Sequence, residues 1–513
     1  MSTAKRVVKN TGYLYAKMGV TVFISLYTTR LILNSLGASD FGIFNIVGGA
    51  IAMLGFLNAA MASATQRFMS YSEGEGDKEK QKTIFNISFV LHIGIALLVG
   101  LVLFGAGFVF FNGVLNIPED RFFAAQVVYG SLIVSTMFTV ATVPYDAVMN
   151  AHENMKYYAV VGILESALKL SVALVVARVV GDKLIVYGVL MACIPLIILT
   201  IMRVYCHKNY EECVIAPRRY WDRSLAKEMG SFAGFNLMRS SSSMISQYGL
   251  NIVLNNFFGV ILNAAQGIAN QVSGQLMTFS NVMLKALSPV ITKSEGNGDR
   301  ELMIRATMMG CKFSYMLLSF FAIPFILEAP YILKLWLKDV PDWAVLLCQL
   351  QLLKTLVVQL TISVGSAIDA LGDIKLYSIV TCVIEFMPII CSFILFKFNF
   401  PPYWMYIVWI LFGGIIGGIL RLYVFHQNSG INIRVYCRNV IFACLAPTII
   451  SILFAYILKV SIYDDFVRLM FTCIIVPITI LVSSWFIALS GGEKVIVVNM
   501  LQNIISKIQK RSR

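Results

Sequence analysis

The chain has 513 residues, of which 58% are hydrophobic and only 13% charged, and its mean hydropathy is +0.78. A soluble domain carries about twice that charged fraction, so the length is spent on membrane spans rather than on several soluble domains. The net charge of +14 calls for no nucleic acid, because anionic lipid headgroups beside basic loops account for it.

The N-terminal MSTAKRVVKN carries three cations and leads into a long apolar segment with no A-x-A-like cleavage site, which reads as a retained first helix. A span needs about 20 mostly apolar residues. Fourteen segments qualify: 12–34, 41–66, 84–111, 122–149, 157–177, 184–202, 229–257, 260–291, 306–328, 343–369, 376–396, 403–420, 439–458 and 469–489. The expected fold class is an all-α integral membrane protein. Its expected parts are an N-terminal six-helix lobe (1–205), a cytoplasmic inter-lobe loop (206–228), a C-terminal six-helix lobe (229–428), helices 13 and 14 (429–490) and a cytoplasmic amphipathic tail (491–513). With the N-terminus in the cytoplasm, that side holds 26 of the 41 Lys and Arg, the opposite side 8, and the spans 7. The excess predicts that both termini are cytoplasmic. The ten cysteines form no C-x-x-C pair and lie mostly in apolar runs, so they read as packing residues and not as a metal site.

The halves share sequence. SEGEGD at 72–77 matches SEGNGD at 294–299 at an offset of 222, and LILN at 31–34 matches IVLN at 252–255 at an offset of 221. Ala151, Lys156 and Tyr158 match Ala370, Lys375 and Tyr377 at an offset of 219. Six spans per copy is an even number, so the copies share orientation, as in bundles that rock to expose a central site alternately to each side.

Seven cations fall inside the spans: Lys17, Arg30, Lys169, Arg239, Lys285, Lys312 and Lys354. A charge at the bilayer centre costs roughly 2.5–3.5 kcal/mol on the mildest scale, so these predict a wet, positive interior that attracts an anion. Asn236, Arg239, Ser243 and Ser246 share one face of helix 7. Helix 8 adds Gln266, Asn270, Ser273, Asn281 and Lys285, and helix 1 adds Tyr27, Arg30 and Asn34. Lys17 and Arg30 reach one cavity only if helix 1 bends, with Gly19 as the expected place. Lys17, Lys285 and Lys312 lie near the cytoplasmic end and can snorkel. Lys169 has Glu165 at i−4, and Lys354 has Glu385 on the next helix. Arg239 is deepest and has no acid within a turn, which with Arg30 makes it the cation that most needs an anionic ligand. Glu385, Glu165 and Asp146 are the acids able to titrate or to take a coupling ion; for the first two, structural ion pairing is an equal expectation, and Asp146 sits at a helix end that it can simply shape. His92 reads as a hydrogen-bonded core residue.

No G-x-x-x-x-G-K-[ST], H-E-x-x-H or G-x-S-x-G occurs. The longest outward loop, about 329–342, is too short for a catalytic domain. No catalytic residue, metal site or organic cofactor is expected, and Na+ or H+ is the candidate coupling ion for gradient-driven transport.

With these features the chain resembles the polysaccharide flippases (Wzx type) of the multidrug/oligosaccharidyl-lipid/polysaccharide exporter superfamily. The carrying residues are TTRLILNSLGASDFGIFNIVGG at 28–49, PYDAVMNAHENMKYYA at 144–159 and ALSPVITKSEGNGD at 286–299. The resemblance implies two six-helix lobes with helices 1, 2, 7 and 8 around a cationic cavity. It also implies an undecaprenyl-pyrophosphate-linked oligosaccharide as substrate, turned from the inner to the outer leaflet of a bacterial plasma membrane. By that analogy Arg30 and Arg239 attract the pyrophosphate, Lys17 and Lys285 assist, and Asn236, Ser243 and Asn270 line the cavity. Helices 13 and 14 look like those that groove a lipid tail. Membrane lipids and glycan polymerase machinery are the implied partners. Multidrug exporters of the same superfamily typically carry an acid in helix 1, and here helix 1 has none. Lipid II flippases share the pyrophosphate and are not separated by charge. A membrane glycan polymerase or ligase needs catalytic carboxylates or a large outer loop, and neither is evident.

Overall fold

The computed structural model describes residues 3–52, 55–111, 117–337, 340–495 and 498, and among them the chain is all-α with no strand. Helix α1 (Thr3–Ala52) takes in the first predicted span and the start of the second, and it turns between them at Gly37, whose φ of 78° suits glycine. The backbone leaves helical dihedrals there and not at Gly19. Then follow α2 (Gly55–Glu75), α3 (Lys78–Val109), α4 (Phe122–Ala151), α5 (Met155–Arg178) and α6 (Lys183–Asn209). The second half begins with α7 (Arg223–Phe258), α8 (Val260–Gly296) and α9 (Arg300–Leu337). Next come α10 (Ala344–Gln359), α11 (Ile362–Leu371) and α12 (Lys375–Lys397). α13 (Trp404–Trp409) and α14 (Gly417–Ser429) join through a π-helical stretch, as do α15 (Ile433–Tyr436) and α16 (Ala443–Ser461), and α17 (Asp465–Ser483) closes the bundle.

Among the described residues, 11 segments are long and apolar enough to span a membrane. The predicted seventh and eighth spans, though helical, are too polar to join them, and the predicted second span runs across residues outside the described ones. The seventh and eighth lie in α7 and α8, two of the helices on which the resemblance places the cavity. The predicted amphipathic tail lies almost wholly outside the described residues.

The chain forms two compact units, Asn10–Leu237 and Met238–Arg513 with Met1–Lys9. In the first, Val99, Leu103, Val128, Tyr129 and Leu184 form a buried cluster with Ile43 and Val47. The Tyr129 hydroxyl donates to the Leu103 carbonyl at 2.6 Å, so even this apolar core leaves its one phenol satisfied. In the second, hydroxyls and amides join the helices. Ser273 and Thr355 lie 3.0 Å apart, Ser280 donates to the Ser314 carbonyl at 2.8 Å, and Ser314 donates to Gln359 at 2.6 Å. Polar groups at membrane depth need such protein partners. The predicted tenth span breaks at Leu360–Thr361. There the Tyr436 hydroxyl donates to the Leu360 carbonyl at 2.7 Å, and Arg421 to the Thr361 hydroxyl at 3.1 Å.

The backbone repeats the duplication seen in the sequence. Gly37 and Gly259 have φ of 78° and 79°, and Gly76 and Gly298 both have 75°, each pair in the register that relates SEGEGD to SEGNGD. Glu153 (53°) and Gly372 (92°) occupy the third pair of left-handed positions, in the register that relates Tyr158 to Tyr377. The SEGEGD and SEGNGD segments are thereby explained as matched turns. The last residue of each, an aspartate, caps the next helix: Asp77 accepts from the Lys80 amide and Asp299 from the Leu302 amide, both at 3.0 Å.

Two further devices shape the lobes. The segment 210–222 between α6 and α7 is tied to its own unit. Asn86 donates to the Val214 carbonyl at 2.7 Å and accepts from the Ala216 amide at 2.8 Å. His152 hydrogen-bonds Glu212 through Nε2, lies 3.3 Å from Glu73 through Nδ1, and stacks on Tyr210. In the other unit, buried ion pairs join α9 to the start of α17 and to the residues after it. Lys312 Nζ lies 2.8 Å from Glu493 and donates to the Ala488 carbonyl at 2.9 Å, while Arg468 Nε lies 2.9 Å from Glu328. Lys312 therefore does not snorkel as expected. It is 4% exposed, because the residues after α17 bring an acid and a carbonyl to its ammonium.

Candidate anion-binding site

Lys17 is half-buried on α1, with Nζ 4.4 Å from the ring centroid of Tyr158 on α5. One turn further along α5, Gly162 leaves the room this requires: a Cβ there would stand 2.0 Å from Lys17 Cε. Gly162→Ala is accordingly expected to drive the ammonium off the Tyr158 ring, losing a cation–π contact worth roughly 0.5–2 kcal/mol. Binding of inorganic pyrophosphate by this variant should fall to the level of Lys17→Ala while its unfolding temperature changes little. Wild-type binding would refute a role for the seated ammonium.

Arg239 lies about 24 Å along α7 from Arg223 at 1.5 Å per residue. Its Nη2 is 2.7 Å from Asp369 Oδ1 on α11, and its guanidinium lies 5.1 Å from the ring centroid of Tyr377 on α12. The expectation that Arg239 finds no acid held only within its own helix, because Asp369 arrives from a distant segment of the chain.

These are two copies of one arrangement. Lys17 maps onto Arg239, and Tyr158 onto Tyr377, by the same offsets that relate the repeated turns. Each unit thus seats a cation on the face of a tyrosine near the start of its fifth predicted span. Lys17, and not Arg30, is the counterpart of Arg239. Asp369 breaks the symmetry: the offset that maps Tyr158 onto Tyr377 maps Asn150 onto Asp369, and the Asn150 amide donates to the Asp146 carbonyl at 2.8 Å. A guanidinium has five N–H donors and binds phosphate oxygens as a paired fork, so this kind of cation suits an oxyanion.

The other expected residues scatter. Arg30 is exposed and has no ion pair among the described residues. On α7, Asn236 and Ser246 are buried and Ser243 is exposed, so the polar stripe does not face one medium. Asn270 and Lys285 are half-buried on α8. Lys169 pairs with Glu165 at 2.7 Å, as the spacing predicts. Lys354 faces the Trp409 ring, 2.9 Å from its centroid. Glu385 feels the charges of Lys354 and Arg421 and forms no ion pair among the described residues. The Lys354–Glu385 pairing expected from sequence is therefore a through-space attraction. Asp146, half-buried near the end of α4, does not scatter: its charge acts on Tyr158, the ring that seats Lys17. His92 is fully buried, with Nδ1 2.8 Å from the Ser88 carbonyl, as a core histidine should be. Sequence reasoning missed Tyr158, Tyr377, Gly162 and Asp369. For the two tyrosines the signal existed, since they match each other in the repeat at an offset of 219, as Lys17 and Arg239 do at 222. No sequence signal marks Asp369 as the partner.

No protein-family model matches the chain. A stretch of 119 residues, 23% of this chain and 23% of the other, is 29% identical to the uncharacterized membrane protein EpsK of Bacillus subtilis (strain 168). The match spans less than a quarter of either protein. Solved structures share the fold across most of the chain. One is an outward-facing multidrug resistance MATE family transporter of the MOP superfamily, with a TM-score of 0.72, 14% identity and coverage of 84% of this chain and 96% of that one. Another is a MATE transporter in the bent conformation, at 0.71, 16%, 84% and 98%. A third is a MOP superfamily transporter from Pyrococcus furiosus Vc1, at 0.68, 15%, 85% and 97%, described as having a binding pocket of reversed polarity that suggests a different function. The chain is a multi-pass, all-α membrane protein with a MATE-like fold.

Proposed function

We propose that the chain is a flippase that moves an undecaprenyl-pyrophosphate-linked oligosaccharide from the inner to the outer leaflet of a bacterial plasma membrane for surface polysaccharide synthesis, with both termini cytoplasmic. One observation carries the reading: each unit seats a cation on a tyrosine at repeat-related positions, Lys17 on Tyr158 and Arg239 on Tyr377. Each such cation suits a phosphoryl group, and the first predicted span, 12–34, has no acid to recruit a cationic drug. The fold is compatible with alternating access, and the reversed pocket polarity described for the Pyrococcus furiosus transporter is a precedent for divergent use of this fold. Na+ or H+ coupling would fall to Glu385, with Glu165 occupied by Lys169. A second reading, a cation-coupled multidrug exporter, is favoured by the names of several similar structures.

The test is Arg239→Ala in the native host, followed by the amount of surface glycan. Export is expected to fall at least tenfold at unchanged protein level, and Arg239→Glu to fall further. Unchanged export would sink the reading. Raised resistance to cationic dyes on expression in a sensitive host would favour the second.

A further inference from the structure

From the asymmetry between the two cation–tyrosine pairs we infer that Asp369 is a built-in competitor for the anionic ligand of Arg239, a specificity-determining residue that neutralises the guanidinium between substrates and must yield it for one to bind. The inference rests on the anion-site reading above.

Three observations carry it. First, the Asp369 carboxylate occupies an N–H donor of Arg239, with Nη2 2.7 Å from Oδ1, and a phosphate oxygen would compete for the same kind of contact. Both side chains keep some solvent access, at 16% and 22%, so a ligand can reach the pair. Second, an acid at this position of the repeat is not demanded by the fold, although Asp146 acts on Tyr158 from elsewhere on α4. The matching position in the other unit holds Asn150, and Lys17 still sits on its tyrosine there. Third, Asp369 rides on α11, a helix of 10 residues. The segment starts after the backbone break at Thr361 (φ −132°) and stops at Gly372 (φ 92°). A carboxylate on a short segment with an irregular joint at each end can withdraw with less disturbance than one in mid-helix.

The physical need is clear. An arginine at this depth cannot be left uncompensated before the substrate arrives or after it departs. Transport also requires binding that is reversible on each cycle. A resident carboxylate meets both demands, because it lowers net affinity and re-covers the charge as the phosphate leaves. By linkage, whatever affinity Asp369 takes from the phosphate, the phosphate takes from the Arg239–Asp369 pair.

Inorganic pyrophosphate serves as the probe, with the purified full-length protein in detergent and calorimetric titration as the readout. Asp369→Asn is expected to bind about tenfold tighter than wild type, the scale of a typical coupling between two sites. Asp369→Glu, which keeps the charge, should stay within about twofold of wild type, and Arg239→Gln should abolish the gain when added to Asp369→Asn. Weaker or unchanged binding by folded Asp369→Asn, alongside weakened binding by Arg239→Gln, overturns the competitor role and leaves the anion site standing. No pyrophosphate binding by any form overturns both. Should Asp369→Asn fail to fold, infrared difference spectra of the wild type decide. Saturating pyrophosphate should shift a carboxylate band, and the shift should be absent in Arg239→Gln. A wild-type spectrum without it refutes the exchange.

Discussion

Lys312→Met should destabilise the protein by about 3–5 kcal/mol, the usual cost of removing one partner from a buried ion pair. Lys312 gives Glu493 and the Ala488 carbonyl three hydrogen bonds of 2.8–3.0 Å in a nearly dry setting. Without the ammonium, Glu493 keeps its charge at a desolvated position or takes up a proton at a cost, and the residues after α17 lose their tie to α9. The measurement is unfolding in detergent, by heat or denaturant, for Lys312→Met, Glu493→Gln and the double variant. The double variant should recover most of the loss, since two neutral side chains pack without an orphaned charge. A single variant within about 1 kcal/mol of wild type would show that the pair does not hold the C-terminal helices. The Glu328–Arg468 contact ties the start of α17 to the same α9.

Alkaline pH is expected to loosen the other unit. Burial works against charging His152, but hydrogen bonds to Glu212 and Glu73 outweigh it and lift its pKa from 6.5 to about 9. Its contribution is therefore fully present below the unfolded value of 6.5 and is lost as pH rises through about 9. The difference corresponds to about 3 kcal/mol at 1.36 kcal/mol per pKa unit. Glu212 moves the other way: burial opposes its ionisation, but His152 holds it below its ordinary value, so its share is lost as pH falls through that depressed value. The contact is strongest between these limits. Stability measured from pH 6 to 10 should decline in wild type with a component absent from His152→Gln. The same profile in both would exclude His152. The consequence is local, because Glu212 belongs to the segment between α6 and α7, and releasing it frees the Glu212 end of a connection that Asn86 still holds at Val214 and Ala216.

Much of the molecule was legible in the chain itself. Long apolar runs can satisfy their backbone only as helices in lipid, so the all-α class followed from composition. The short repeats at 72–77 and 294–299 were legible because such turns demand glycine at a left-handed position and an aspartate to cap the next helix. Lys169 and Glu165 were legible because they share a helix face.

The pairings between distant segments were not. Arg239 reads as bare from its own helix, and only folding brings Asp369 beside it. Lys312 reads as a snorkelling lysine until Glu493 arrives from beyond α17. Arg30 reads as the partner of Arg239 by type, whereas position in the repeat and the tyrosine beneath it select Lys17. The chain's own residues settle that it is all-α, rich in apolar helices and built from a duplicated unit, and they put several cations inside those helices. Only the fold settles which of those cations meet an acid and which lie on an aromatic ring. The reason is that the self-energy of a charge in a membrane is set by the groups within a few ångströms of it, and here those groups come from helices far apart in the chain.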